Sequence, residues 1–131
     1  MKTIVLGYPR VEEKRELKKA TEKFCKNDIS EDDLSAIMRG LRKKTWQTQQ
    51  DQGIDFISTN DFSLYDQVWD MCITLGCIPD RFKNLDALQQ YFAMARGYQD
   101  NDIDVTAMEM TKWFDTNYHY IVPELVKKTV L

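Results

Sequence analysis

Two short β-branched runs with only helical pattern between them constrain this chain more than any other feature. Thr3 to Leu6 (TIVL) reads as a buried strand and Ile54 to Ser58 (IDFIS) as a second strand. Adjacent antiparallel strands can be joined by a two-residue turn, whereas parallel ones need a crossover of a dozen or more residues, usually helical. The order strand, helix, helix, strand therefore predicts an α/β fold with a parallel pair. With 131 residues, the chain is read as one domain, 1–131. That is long enough for a real core, since a 150-residue domain buries roughly 70% of the surface its unfolded chain exposes.

The first strand ends at Gly7 and Pro9, and five cations (Arg10, Lys14, Arg15, Lys18 and Lys19) then crowd into ten residues. A helix follows from Glu12 to about Asn27, with Leu17, Ala20, Phe24 and Cys25 on one stripe. The next helix has the clearest start in the sequence. Ser30 is a natural N-cap, Asp33 holds the capping-box position, and Ile29 and Leu34 are spaced for a hydrophobic staple. Leu34, Ile37, Met38, Leu41 and Thr45 continue its face, and Gly53 suits the position just past its end. Gly40, inside this helix, suggests the close approach of a neighbour.

Beyond the second strand, a third helix is expected from near Ser63 to Gly76, with Asp66 three residues after its start. A shorter one is expected over Asp86 to Ala95, ending at Gly97. Tyr98 to Asp104 reads as an acidic loop, Thr106 to Phe114 as helical, and Tyr118 to Val122 as a third strand before Pro123. The expectation is a mostly helical chain with about three short strands.

Charge is divided unevenly. Residues 1 to 53 hold twelve Lys and Arg against nine Asp and Glu, and the remainder hold six against twelve. The sequence pI of about 5.2 is far from the value above 9 typical of nucleic-acid binders, and a small anionic ligand at the amino-terminal end fits better. No apolar run approaches the ~20 residues of a membrane helix, and Thr3 to Leu6 is too short for a secretion signal. Three cysteines, Cys25, Cys72 and Cys77, lack CxxC spacing and read as free, buried thiols of a cytoplasmic protein.

A catalytic zinc needs three converging protein ligands. With one histidine, His119, and no cysteine near it in sequence, no metal site is expected. No nucleotide-cradling glycine motif or hydrolase elbow is present either. The positive signal is the basic cluster. Arg15, Lys18 and Lys19 share a helix face, and such a face at a strand-to-helix turn suits an anion, although the pattern accommodates a solvated face equally. The aromatic segment Met110 to Tyr120, with Lys112 and Asp115, reads as core strand or as a stacking surface for a flat heterocycle. Asn60 to Ser63 serves as a strand end and cap or as a ligand loop.

The runs LGYPRVEEKRELKKA, IDFISTNDFSLYDQV, FAMARG and AMEMTKWFDTNYHYIVPE, in this order, resemble the amino-terminal domain of cobalamin-independent methionine synthase. In that family two (β/α)8 barrels face each other, and a methyl group passes from a polyglutamylated folate to homocysteine at a zinc ion held by the carboxy-terminal barrel. The resemblance implies that Arg15, Glu16, Leu17 and Lys18 lie in the folate-contacting segment and that Lys112 is a further folate-contacting lysine. It implies no catalytic residue and no cofactor in this chain. Where the family continues with glycine after Pro-Arg-Val, this chain has Glu12, which lacks glycine's freedom at positive φ and adds an acid to the basic segment.

The chain matches only about three strands of the first barrel, so the expected fold is a partial (β/α)8-barrel segment that cannot close on its own. Its open sheet edges favour self-association. Two functions are expected from the resemblance. One is a truncated or stand-alone piece of the domain that binds 5-methyltetrahydropteroyl-polyglutamate without independent methyl transfer; the other is a non-catalytic module for oligomerisation or partner docking. No nucleic-acid or membrane partner is expected.

Overall fold

The computed structural model describes residues 1–59, 61–100 and 103–125. They fall into two compact units, Met1–Leu64 and Tyr65–Leu131.

In the first unit α1 (Glu16–Cys25) packs against α2 (Glu31–Asp51). Leu17 and Ala20 of α1 and Leu34 of α2 are buried, as the helical stripes predict. The α2 start is the expected capping box: Asp33 N–H donates to Ser30 Oγ at 3.1 Å, and Ser30 N–H donates back to Asp33 Oδ2 at 3.1 Å. The Ser30 hydroxyl also donates to Asp33 Oδ2 at 2.7 Å. Gly53, at φ +72, closes the helix in the left-handed conformation that costs glycine least.

Ser30→Ala is expected to lower stability by about 1 kcal/mol at neutral pH, read as a lower thermal midpoint by circular dichroism. The Ser30 hydroxyl, then the Ser30 amide, hold the Asp33 carboxyl below its usual range. A depressed folded value contributes stability that is present above the ordinary carboxylate range and fades as pH falls through the folded value. The acid-side loss is therefore expected to be smaller in Ser30→Ala.

The parallel pair exists at its minimum. Ile4 bridges Phe56 in parallel, with Phe56 N–H donating to Thr3 O at 3.1 Å. Asp55 Oδ2 accepts from Thr3 N–H at 2.7 Å and from the Thr3 hydroxyl at 3.0 Å. The expectation of a buried strand is overturned, because Ile4 is 61% and Leu6 94% exposed. Among the described residues no third strand flanks the bridge, so the pair stays short and its apolar side chains face outward. Gly40 needs no close neighbour: a Cβ there would meet nothing within 4 Å.

The second unit holds α3 (Gln67–Thr74), a 3-10 turn (Asp80–Phe82), α4 (Ala87–Arg96) and four strands in two antiparallel pairs. β1 (Tyr98–Asp100) pairs with β2 (Ile103–Val105), and β3 (Met110–Lys112) pairs with β4 (His119–Ile121). Trp69, Phe82, Met94 and Ile121 are the fully buried centre of one apolar cluster, with Cys72, Cys77, Ala93, Ala95 and Met108 around them.

Three expectations are corrected here. Helix α3 starts at Gln67, not near Ser63. Asp66 is itself the N-cap, its carboxylate accepting from Trp69 N–H at 2.7 Å, so the acid supplies the cap that Ser63 was expected to give. Tyr98–Asp100 and Ile103–Val105 are paired strands rather than loop, because Tyr98 and Val105, both strand formers, pair with each other and pack on the core. Gly97 permits the turn from α4 into β1, at φ +80 and with a Cβ position only 3.1 Å from Val105 O.

Thr106 to Phe114 contains a strand instead of a helix. Its backbone groups find partners outside the segment: Met108 N–H donates to Met94 O and Val122 N–H to Glu109 O, both at 2.8 Å, while 110–112 pair with 119–121. Tertiary pairing overrides the helical spacing of Met108 and Lys112. The third expected strand, Tyr118 to Val122, is present as β4. Four helices and two small two-stranded sheets make the chain α/β, and no barrel closes among the described residues.

Candidate functional site

The turn before α1 is built on two residues in the left-handed region, Glu12 at φ +61 and Arg15 at φ +59. This conformation is uncommon for residues other than glycine. Arg15 is the N-cap of α1 and supplies no side-chain cap, so its exposed guanidinium is not spent on the helix end. Lys18, one turn later and also exposed, lies 3.8 Å from Glu22 across the helix surface. Such an exposed pair is worth ~0.5 kcal/mol and leaves the ammonium open to exchange partners. Arg15 and Lys18 thus share the first turn of α1, where backbone N–H groups and the helix dipole also favour an anion.

Glu16 and Leu17, between them, take other roles. The Glu16 carboxylate folds back to accept from Lys14 N–H at 2.9 Å. Its pKa is lowered, first by its own backbone N–H and then by that of Lys14, so it is an anion inside the basic turn. Leu17 is 1% exposed and anchors α1, which leaves only its backbone for a ligand. Four of the five residues singled out in the sequence, Arg15 to Lys18, thus come together on one helix start.

Lys112 belongs to the second unit. It is exposed at the end of β3, paired across the ladder with His119. Next to it Trp113 packs edge-on against Phe114 and Tyr120, with ring centroids 5.2 and 5.5 Å apart. Trp113 and Phe114 are 47% and 79% exposed. This corrects the reading of Met110 to Tyr120 as core strand: none of its residues is buried, and Ile121, just beyond it, is. His119 is exposed as well, with Nδ1 3.1 Å from Asn117 O.

Of the third candidate, Asn60 lies outside the described residues. Asp61 there accepts from Tyr8 N–H at 2.9 Å, joining the two strand ends. Cys25 is exposed rather than buried, while Cys72 and Cys77 are buried and all three are free.

Sequence reasoning missed what Glu12 does. Its side chain is 5% exposed; Oε2 takes a hydrogen bond from Lys44 Nζ at 2.9 Å, and Oε1 one from the Thr45 hydroxyl at 3.1 Å. The hydrogen bond to Glu12 raises the Lys44 pKa, so the lysine is firmly a cation. The available signal was Thr45, a polar residue recurring on the apolar stripe of α2.

Among the described residues no three His, Cys, Asp or Glu side chains gather as a metal site. No described helix is long and apolar enough to cross a membrane.

The chain matches the sequence profile described as "Cobalamin-independent synthase, N-terminal domain" over residues 2–131. Its relatives include proteins named 5-methyltetrahydropteroyltriglutamate--homocysteine methyltransferase. That of Cytophaga hutchinsonii is 56% identical over 128 residues, covering 93% of this chain and 16% of the relative. That of Lactococcus lactis subsp. cremoris is 50% identical over 133 residues, covering 100% and 18%. In Campylobacter jejuni the figures are 51% over 126 residues, 95% and 17%. The chain thus spans less than a fifth of the length of these relatives. A match running from residue 2 to residue 131 places the chain in the cobalamin-independent synthase family, within its N-terminal domain.

Proposed function

We propose that this chain carries part of the binding surface for a polyglutamylated methylfolate, in the methyl transfer for which its relatives are named. Arg15 and Lys18 pair the carboxylates of the glutamate tail, the Leu17 backbone lines the segment, and Lys112 makes a further contact. The observation that carries this reading is the pairing of two exposed cations on the first turn of α1 with Leu17 buried between them. That arrangement holds the charges on a rigid element and offers them to an acidic chain. The parallel bridge of Ile4 and Phe56 supports reading the two segments as neighbouring strands of a (β/α)8 barrel.

No residue of this chain is assigned to the chemical step, and methyl transfer by it alone is not expected. Calorimetric titration with methyltetrahydrofolate triglutamate tests the reading. Wild type is expected to release heat on binding. Lys18→Ala combined with Lys112→Ala is expected to bind at least ~10-fold more weakly, since a hydrogen bond to a charged group contributes ~1.5–3 kcal/mol. An athermal, flat titration of folded wild type at two temperatures overturns it.

A further inference from the structure

Glu12 combines two features that a solvated surface acid does not need. Its backbone adopts φ +61 without being glycine, and its carboxylate is almost wholly withdrawn from water between Lys44 Nζ and Thr45 Oγ1. The contacts hold the residue in a conformation it would otherwise avoid. The α2 face around them has polar capacity to spare. Arg42 and Gln49, three residues before and four after Thr45, carry buried Nε and Oε1 atoms that meet no hydrogen-bond partner, and Gln49 is 3% exposed.

We propose that Lys44 and Thr45 form a carboxylate-binding seat that Glu12 fills in cis, and that a flexible aliphatic carboxylate occupies it whenever Glu12 is absent or displaced. The chemistry selects this class. One ammonium and one hydroxyl, spaced to reach the two oxygens of a single carboxylate, match a planar anion with two acceptor atoms. Tethering explains why Glu12 wins: a group on the same chain, only 32 and 33 residues from its partners, acts at a high effective concentration, against which a free acid at ordinary concentration competes poorly. The seat does not depend on the folate reading, because it is defined by contacts within the first unit.

Glu12→Gly removes the carboxylate and gives the backbone the residue best suited to positive φ. In this variant 200 mM sodium acetate is expected to raise the melting temperature by about 3 °C relative to sodium chloride of equal ionic strength. The same addition is expected to leave wild type unmoved, as well as Glu12→Gly combined with Lys44→Met. Equal responses of all three proteins, or no response of Glu12→Gly, overturn the seat. Should Glu12→Gly not fold, Glu12→Gln keeps the side chain's volume and fills the seat with its own amide. Acetate must then leave its melting temperature unchanged, and a rise overturns the proposal.

Discussion

Trp69→Ala is expected to cost the second unit about 3–5 kcal/mol, the range for truncating a fully buried aromatic residue. Such a loss approaches the whole stability of a small unit. Trp69 is 0% exposed at the centre of the apolar cluster. Its ring lies 6.0 Å from that of Tyr91, and its indole N–H donates to Tyr91 O at 3.3 Å. Alanine would leave a cavity between α3 and α4 and remove that hydrogen bond. Urea unfolding followed by far-ultraviolet circular dichroism measures the loss, and a midpoint within about 1 kcal/mol of wild type would show that Trp69 does not anchor this core.

Asp66→Asn is expected to destabilise the same unit by about 2–3 kcal/mol, although it changes neither shape nor volume. Asp66 is 2% exposed, and each carboxylate oxygen serves one backbone donor. Trp69 N–H reaches Oδ1 at 2.7 Å, and Ile121 N–H reaches Oδ2 at 3.0 Å. An amide has one acceptor oxygen, so its NH2 would face one of these N–H groups and leave a buried donor unsatisfied. The same denaturant series measures it. Because Asp66 caps the turn that carries Trp69, the double variant should lose less than the sum of the two single losses.

Asp66 also marks the boundary of what could be read from the sequence. Its acidity and position were visible, and the helix it starts was expected. Which of Ser63 and Asp66 does the capping depended on where β4 returns, 55 residues later in the chain. The α2 start was fully legible because a capping box is a local device whose members lie three residues apart. Strands β1, β2 and β3 were obscured for the opposite reason: at three residues each they are too short to display a period, whereas β4 was expected from its aromatic and β-branched residues. Thr3 to Leu6 was recognised by type but not by environment, since β-branched character reports strand preference and says nothing about what covers it. At the candidate site the cations of α1 stood out in the sequence. Glu12 stood out as a departure from glycine, but its bonds were not legible, because its partners on α2 lie 32 and 33 residues away.

The Thr3–Asp55 and Ile4–Phe56 contacts join positions 52 residues apart. Loop-closure entropy rises with the length of chain enclosed, whereas α1 and α2 form from near neighbours. The two helices can therefore assemble early, and the first strand docks onto the second only afterwards. Since that docking buries little apolar surface, its amides sit at the low-stability end of the unit, where local opening happens without global unfolding. The amino terminus is thus a late and reversible closure, whereas the basic turn that follows it stays tied to α2 through Glu12.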